Sequence, residues 1–199
     1  MNESALKNVM RRVYFKPGAV RTIRVGPMRG LRFRVSDVTG MSPWYSGAER
    51  GHQRVFQKFA RAGCVAMDIG ANWGLHTLYL SRLVGEQGKV VAVECNPRVF
   101  AELQWHVEQN GCGNVTALPL AMSDADGQAL FAFGPDSYTG HLESVSEQRT
   151  AQSTIPVTTS TVDNVVSRLG LARLDLVKID VEGAEGKVLA GAERTAAAL

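Results

Sequence analysis

From residue 64 onward the apolar residues fall into short runs separated by longer, mixed segments. Val65–Ile69, Lys89–Glu94, Val115–Leu120 and Leu174–Asp180 are compact and rich in valine, leucine and isoleucine, as strands buried on both faces require. Between them, Leu75–Val84 and the segment from Pro97 to about Gln109 carry helical spacing, and Asn164–Leu169 and the stretch through Ala190 are shorter helices. Punctuation agrees: Gly85-Glu86-Gln87-Gly88 is a turn, Pro97 sits where a helix starts, and Asn110-Gly111 ends one. Leu130–Phe133 reads as an antiparallel segment and Ile155–Val157 as a further short strand, while Ala121–Asp124 and the polar residues 134–152 read as loops. Strands alternating with helices predict an α/β fold: a Rossmann-like, doubly wound, mostly parallel sheet with helices on both faces.

Upstream the pattern changes. Residues 1–17 form a lead-in ending at Pro17. Ala19–Val25 and Leu31–Val35 alternate apolar and polar positions around Gly26–Gly30, which predicts a β-hairpin. Ser36–Gly51 is a loop carrying Trp44, Tyr45 and Glu49, and His52–Arg61 has Val55, Phe56 and Phe59 at helical spacing before Gly63. The division is therefore residues 1–63 as a basic hairpin and cover segment, and 64–199 as the core.

Charge sharpens that division. The 199 residues carry a net charge of +3, yet residues 1–34 hold nine basic side chains against the single acid Glu3. Such an arm fits a solvated surface or an anionic partner. No apolar run is long enough to span a bilayer, and the first residues lack the core of a secretory leader. Three widely spaced cysteines, Cys64, Cys95 and Cys112, suggest neither a disulfide framework nor a zinc site. The expectation is a cytoplasmic protein without a metal.

The candidate chemistry begins at Asp68-Ile69-Gly70-Ala71-Asn72-Trp73-Gly74. Gly70 and Gly74 permit positive φ, and Asn72 tolerates it. With Asn72 in place of a second glycine and Trp73 beside it, the turn departs from the dinucleotide pattern, and a cofactor without a diphosphate is expected. Glu94 ends the next strand 26 residues after Asp68, placed to accept ribose hydroxyls. Taken singly the glycines suit a plain strand–helix turn and Glu94 a helix cap; in this order they describe a nucleoside pocket.

The block Asp68–Gly74, taken with Lys178-Ile179-Asp180-Val181-Glu182-Gly183-Ala184-Glu185, resembles the FkbM-type methyltransferases over roughly residues 26–192. The resemblance implies a Rossmann-like fold, S-adenosylmethionine as methyl donor and a small-molecule hydroxyl acceptor on a sugar or natural product. It implies that Gly70, Ala71, Asn72 and Gly74 line the methionine part of the cofactor, with Asp68 ordering the turn or receiving the ammonium through water. Glu94 would hold the ribose, Asn96 and Ser123 would border the adenine, and Asp180 would lie beside the sulfonium. Family members usually continue past the point where this chain stops, at Leu199. The alternatives are a fragment, a sheet completed by a partner, or a shortened form; a sheet ending early would expose an edge that a homodimer could cover.

A hydroxyl acceptor needs a base within hydrogen-bond reach. Asp180 and Glu182 are the carboxylate candidates. If the strand persists through Glu182, both share a face with Lys178, which serves better as an orienting group because Asp180 favours its charged form. His76 is a further candidate base, with a packed helix histidine as the alternative, and Tyr138 and His141 fall where a substrate lid would lie. Two rival functions remain: a nucleic-acid methyltransferase using the basic arm, and a non-catalytic cofactor-binding or assembly module.

Overall fold

The structure is a computed structural model that describes residues 16–39, 50–134, 140–143 and 154–197. The lead-in before Lys16, the Trp44, Tyr45 and Glu49 cover, and Tyr138 lie outside the described residues. In chain order the elements are β1 (Val20–Thr22), β2 (Arg32–Arg34), α1 (Arg50–Phe59), β3 (Val65–Ile69), α2 (Leu75–Val84), β4 (Lys89–Val93), α3 (Pro97–Gln109), β5 (Val115–Leu118), β6 (Ala121–Met122), β7 (Gly127–Phe133), β8 (Gly140–Glu143), β9 (Thr154–Ser160), α4 (Val162–Arg168), β10 (Leu176–Ile179), α5 (Glu185–Ala190) and α6 (Glu193–Ala197).

The central sheet runs β10-β3-β4-β5 with every pairing parallel. Alternation along β3 and β4 feeds two separate cores. Ala66 and Val90 pack with Leu78, Tyr79 and Val84 on one face. Met67, Ile69, Val91 and Val93 pack with Val162, Val165 and Val188 on the other. Helices therefore cover both faces, as the apolar runs predict. The chain leaves β5 and re-enters the sheet on the far side of β3, so a crevice opens at the carboxyl ends of β3 and β10, where such folds hold ligands.

A second sheet, β6-β9-β7-β8, departs from the expected loops. β6 pairs parallel with β9, while β7 pairs antiparallel with both β9 and β8. Ala121–Met122 and Gly140–Glu143 are thus strands where loops are predicted. The β6 ladder is made with residues distant in sequence, Thr159 and Ser160, and β8 is defined by its pairing with the preceding strand, a signal that periodicity within either segment does not carry. β10 is also shorter than predicted and ends at Ile179. The shared-face arrangement of Lys178, Asp180 and Glu182 therefore fails at the strand end, and Glu182 instead takes a left-handed φ of 49°.

The hairpin is fastened to the core rather than standing free. Phe33 is fully buried, with Trp73 edge-on at 5.4 Å. Arg82 donates to the carbonyls of Pro27 and Arg29 at 3.0 and 2.8 Å. Arg34 pairs with Glu102 at 2.9 Å and lies 4.6 Å over the Trp105 ring. With α1, the hairpin covers the outer side of α2, which explains why Leu75 to Ser81 are all buried. Among the described residues no helix is long and apolar enough to cross a membrane.

His106 is the pin of this interface. Its Nε2 accepts the Arg34 backbone N–H at 3.0 Å, so Nδ1 must carry the proton it gives to the Trp73 carbonyl at 2.8 Å. Burial pushes its pKa down to about 4. The folded state thus refuses a proton that the unfolded chain accepts near 6.5. The stability of the neutral ring is complete above pH 6.5 and is lost between there and pH 4, by about 3 kcal/mol. Urea unfolding at pH 7 and pH 4.5 should show this loss in the wild type and a smaller one in His106→Gln. Equal losses in both would remove His106 as the cause.

Candidate active site

The tight turn after β3 is set by backbone geometry. Gly70, Asn72 and Gly74 have φ of 71°, 50° and 95°. The amides of Gly70 and Ala71 both donate to the Val93 carbonyl, at 3.0 and 2.9 Å, which ties the turn to the end of β4. Gly70 also lies against the end of β10. A Cβ there would stand 1.9 Å from the Asp180 carbonyl oxygen. Trp73 turns inward onto Phe33 and His106, so its bulk does not lie across the mouth of the turn. The departure from the dinucleotide pattern then rests on Asn72, which stands in the place of the second glycine.

Glu94 follows β4 and is held by two amides. Its Oε2 accepts from Asn72 N at 2.9 Å and its Oε1 from Asn96 N at 2.8 Å. Burial raises its carboxyl above the ordinary value, against the pull of those two donors and of the Lys178 charge. Each oxygen keeps a further lone pair for a ligand hydroxyl.

A cavity opens beside Glu94. Of the sequence-derived candidates, Gly70, Asn72, Glu94, Asp180 and Glu182 line it. Apolar side chains, among them Cys95, Leu120, Met122, Phe131 and Val181, line the rest of it together with Gly140. The Cys95 thiol is pushed up to about 12 by burial and the adjacent Glu94 charge, so it is not a nucleophile at neutral pH.

The remaining candidates lie elsewhere. Asp68 has no exposed surface and sits beneath the turn, where it accepts from the Thr77 hydroxyl at 2.6 Å. Lys178, beside it in register, approaches Asp68 at 3.0 Å, Asp180 at 3.5 Å and the Gly70 carbonyl at 2.9 Å. Burial alone would lower the Lys178 pKa, but the Asp68 and Asp180 charges outweigh it and hold it above the ordinary value. A lysine that stays charged is not a base. Ala71 packs into a cluster with Leu103, and a Cβ on Gly74 would meet the same side chain. Asn96 caps α3 by accepting from Arg98 N, and Ser123 donates to Asp124. His76 packs edge-on against Phe56 and His52 and is not among the cavity-lining residues. Among the described residues no group of three or more His, Cys, Asp or Glu is arranged to hold a metal ion.

The sequence profile of the methyltransferase FkbM domain matches residues 68–198. The chain belongs to the FkbM methyltransferase family. The matched span opens on Asp68 and contains the turn, Glu94 and the whole Lys178–Glu185 block; the hairpin and α1 precede it. The hexuronic acid methyltransferase AglP of Haloferax volcanii is 27% identical over 184 residues, 90% of this chain and 72% of its own. Methyltransferase 1 of Beauveria bassiana is 29% identical over 143 residues, 63% of this chain and 57% of its own. Among solved structures, a SAM-dependent methyltransferase from Aquifex aeolicus aligns over 33% of this chain and 36% of its own, with 31% identity and a TM-score of 0.32.

The cavity residues that sequence reasoning missed have two origins. Cys95 directly follows Glu94, so its place at the strand end was there to be read. Phe131 and Gly140 reach the cavity only through the second sheet, and no local pattern marks them.

Proposed function

We propose that this FkbM-family chain is an S-adenosylmethionine-dependent O-methyltransferase acting on a hydroxyl of a sugar or natural-product acceptor. The observation that carries the reading is one cavity at the carboxyl ends of β3, β4 and β10, lined both by the carboxylates Glu94, Asp180 and Glu182 and by an apolar set. Glu94, Asp180 and Glu182 suit ribose hydroxyls and positive charge. Cys95, Leu120, Ala121, Met122 and Phe131 suit a purine ring. These residues fit the donor, which when bound supplies a methyl group already activated on a sulfonium.

The chain's own share is binding, positioning and proton removal. Glu94 holds the ribose diol through oxygens whose direction the Asn72 and Asn96 amides already fix. Gly70 and Asn72 let backbone approach the amino-acid end. Asp180 or Glu182 would take the acceptor hydroxyl proton while the methyl carbon exchanges its bond to the departing thioether sulfur for one to the acceptor oxygen, and in-line positioning would supply much of the remaining rate. The 27% identity to a hexuronic acid methyltransferase favours a sugar acceptor. Of the basic residues in the N-terminal arm, Arg34 is engaged with Glu102 in fastening the hairpin, which removes part of the motive for a nucleic-acid partner.

Calorimetry with S-adenosylhomocysteine tests the cofactor. Glu94→Ala should weaken binding about a hundredfold, the loss of two hydrogen bonds to a charged group. Because the Glu94 carboxyl is raised, wild-type affinity should fall on acidification, beginning above the usual carboxylate range. Wild-type affinity in the folded alanine variant would defeat the assignment.

A further inference from the structure

Beneath the cavity, three polar side chains, Thr77, Asp68 and Lys178, form a strap that the proposed chemistry does not use directly. Thr77 and Asp68 are wholly buried, and the Lys178 side chain is only 11% exposed. The Thr77 hydroxyl fixes Asp68 Oδ2, and the Lys178 ammonium lies 3.0 Å from Oδ1. From that anchor the ammonium reaches two parts of the cavity wall: the Gly70 carbonyl at 2.9 Å and the Asp180 carboxylate at 3.5 Å. Gly70 belongs to the turn after β3 and Asp180 to the end of β10, so one cation spans both sides of the crevice.

Charge burial makes the arrangement informative. Two ions withdrawn from water in an apolar sheet contribute little net stability compared with apolar residues of the same shape. A methionine facing an asparagine would hold β3 and β10 together about as well. What neutral residues would not supply is a donor for the Gly70 carbonyl and a positive partner for Asp180. The hydroxyl of Thr77 in turn directs Asp68, and so sets where the ammonium stands.

We infer that Thr77, Asp68 and Lys178 form a positioning unit that sets the spacing and direction of the two cavity walls, with Lys178 acting on the ligand through Gly70 and Asp180 rather than by contact. The inference rests on the cofactor reading above. It assigns Thr77 a role in ligand affinity although it has no exposed surface.

The test separates stability from positioning. Lys178→Met alone strands the Asp68 charge and should lower the melting temperature by about 10 °C. The double variant Asp68→Asn with Lys178→Met removes both charges and should recover most of that loss. Its affinity for S-adenosylhomocysteine should nevertheless stay about tenfold below wild type, because the donor to Gly70 is still missing. Thr77→Val should weaken binding severalfold and Thr77→Ser should restore it. Wild-type affinity in the folded double variant, or equal affinity in the valine and serine variants, would overturn the inference. Absence of binding by the wild-type chain would instead defeat the cofactor reading, and this inference with it.

Discussion

Replacing Gly70 by alanine is expected to destabilise the chain by about 3 kcal/mol or more and to abolish S-adenosylhomocysteine binding. Two costs coincide there. The residue holds φ at 71°, a region an alanine enters only with strain. Its Cβ would also stand 1.9 Å from the Asp180 carbonyl oxygen and 3.3 Å from a Val181 methyl. A flexible side chain could swing away, but a backbone oxygen cannot. The Asp180 amide is bonded to the Ile69 carbonyl at 3.1 Å, so β10 would have to separate from β3 at the mouth of the cavity. Thermal melting and titration on the same sample check this. An alanine variant with wild-type melting temperature and affinity would show that the turn and β10 are less closely joined than their geometry requires. Gly74→Ala provides the contrast, since the close neighbour there is the end of the Leu103 side chain.

The second large effect concerns turnover. Asp180→Asn, or Glu182→Gln, should reduce methyl transfer by about 10²–10⁴-fold while changing cofactor affinity far less, whichever of the two is the base. Transfer of labelled methyl from S-adenosylmethionine to uronic acid-containing saccharides is a suitable assay. Asp180 stands within reach of the Lys178 ammonium, whereas Glu182, two residues on, has a left-handed backbone conformation. A loss confined to one variant identifies the base. Undiminished turnover in both would remove carboxylate catalysis from the mechanism.

Sequence pattern carried the central sheet because its strands are buried on both faces. Val65–Ile69 and Lys89–Val93 have the predicted bounds almost to the residue, and the glycine turn and Glu94 lie together where their order in the chain implies. The second sheet was legible only in part. Leu130–Phe133 and Ile155–Val157 read as strands, but β6 is two residues long and β8 is recognisable only from its pairing with Leu130–Phe133, so local pattern does not show the sheet that joins them. The same cause hid Phe131 and Gly140. Asp68 and Lys178 were legible as charges in an apolar setting. Their mutual contact came from the parallel register of β3 and β10, which spacing along one strand does not reveal. His76 shows the reverse: a residue two places beyond the turn is carried by the first turn of α2 toward Phe56 rather than toward the cavity.

Glu94 has a consequence for the energetics of recognition. Its two oxygens are already oriented by the amides of Asn72 and Asn96. On the proposed cofactor reading, a nucleoside entering the cavity would meet an acceptor already held in place, with little further ordering entropy to lose on association. Amide hydrogen exchange at Asn72 and Asn96 should consequently be slow in the free protein and nearly unchanged on saturation, the behaviour of a receptor built before its ligand arrives.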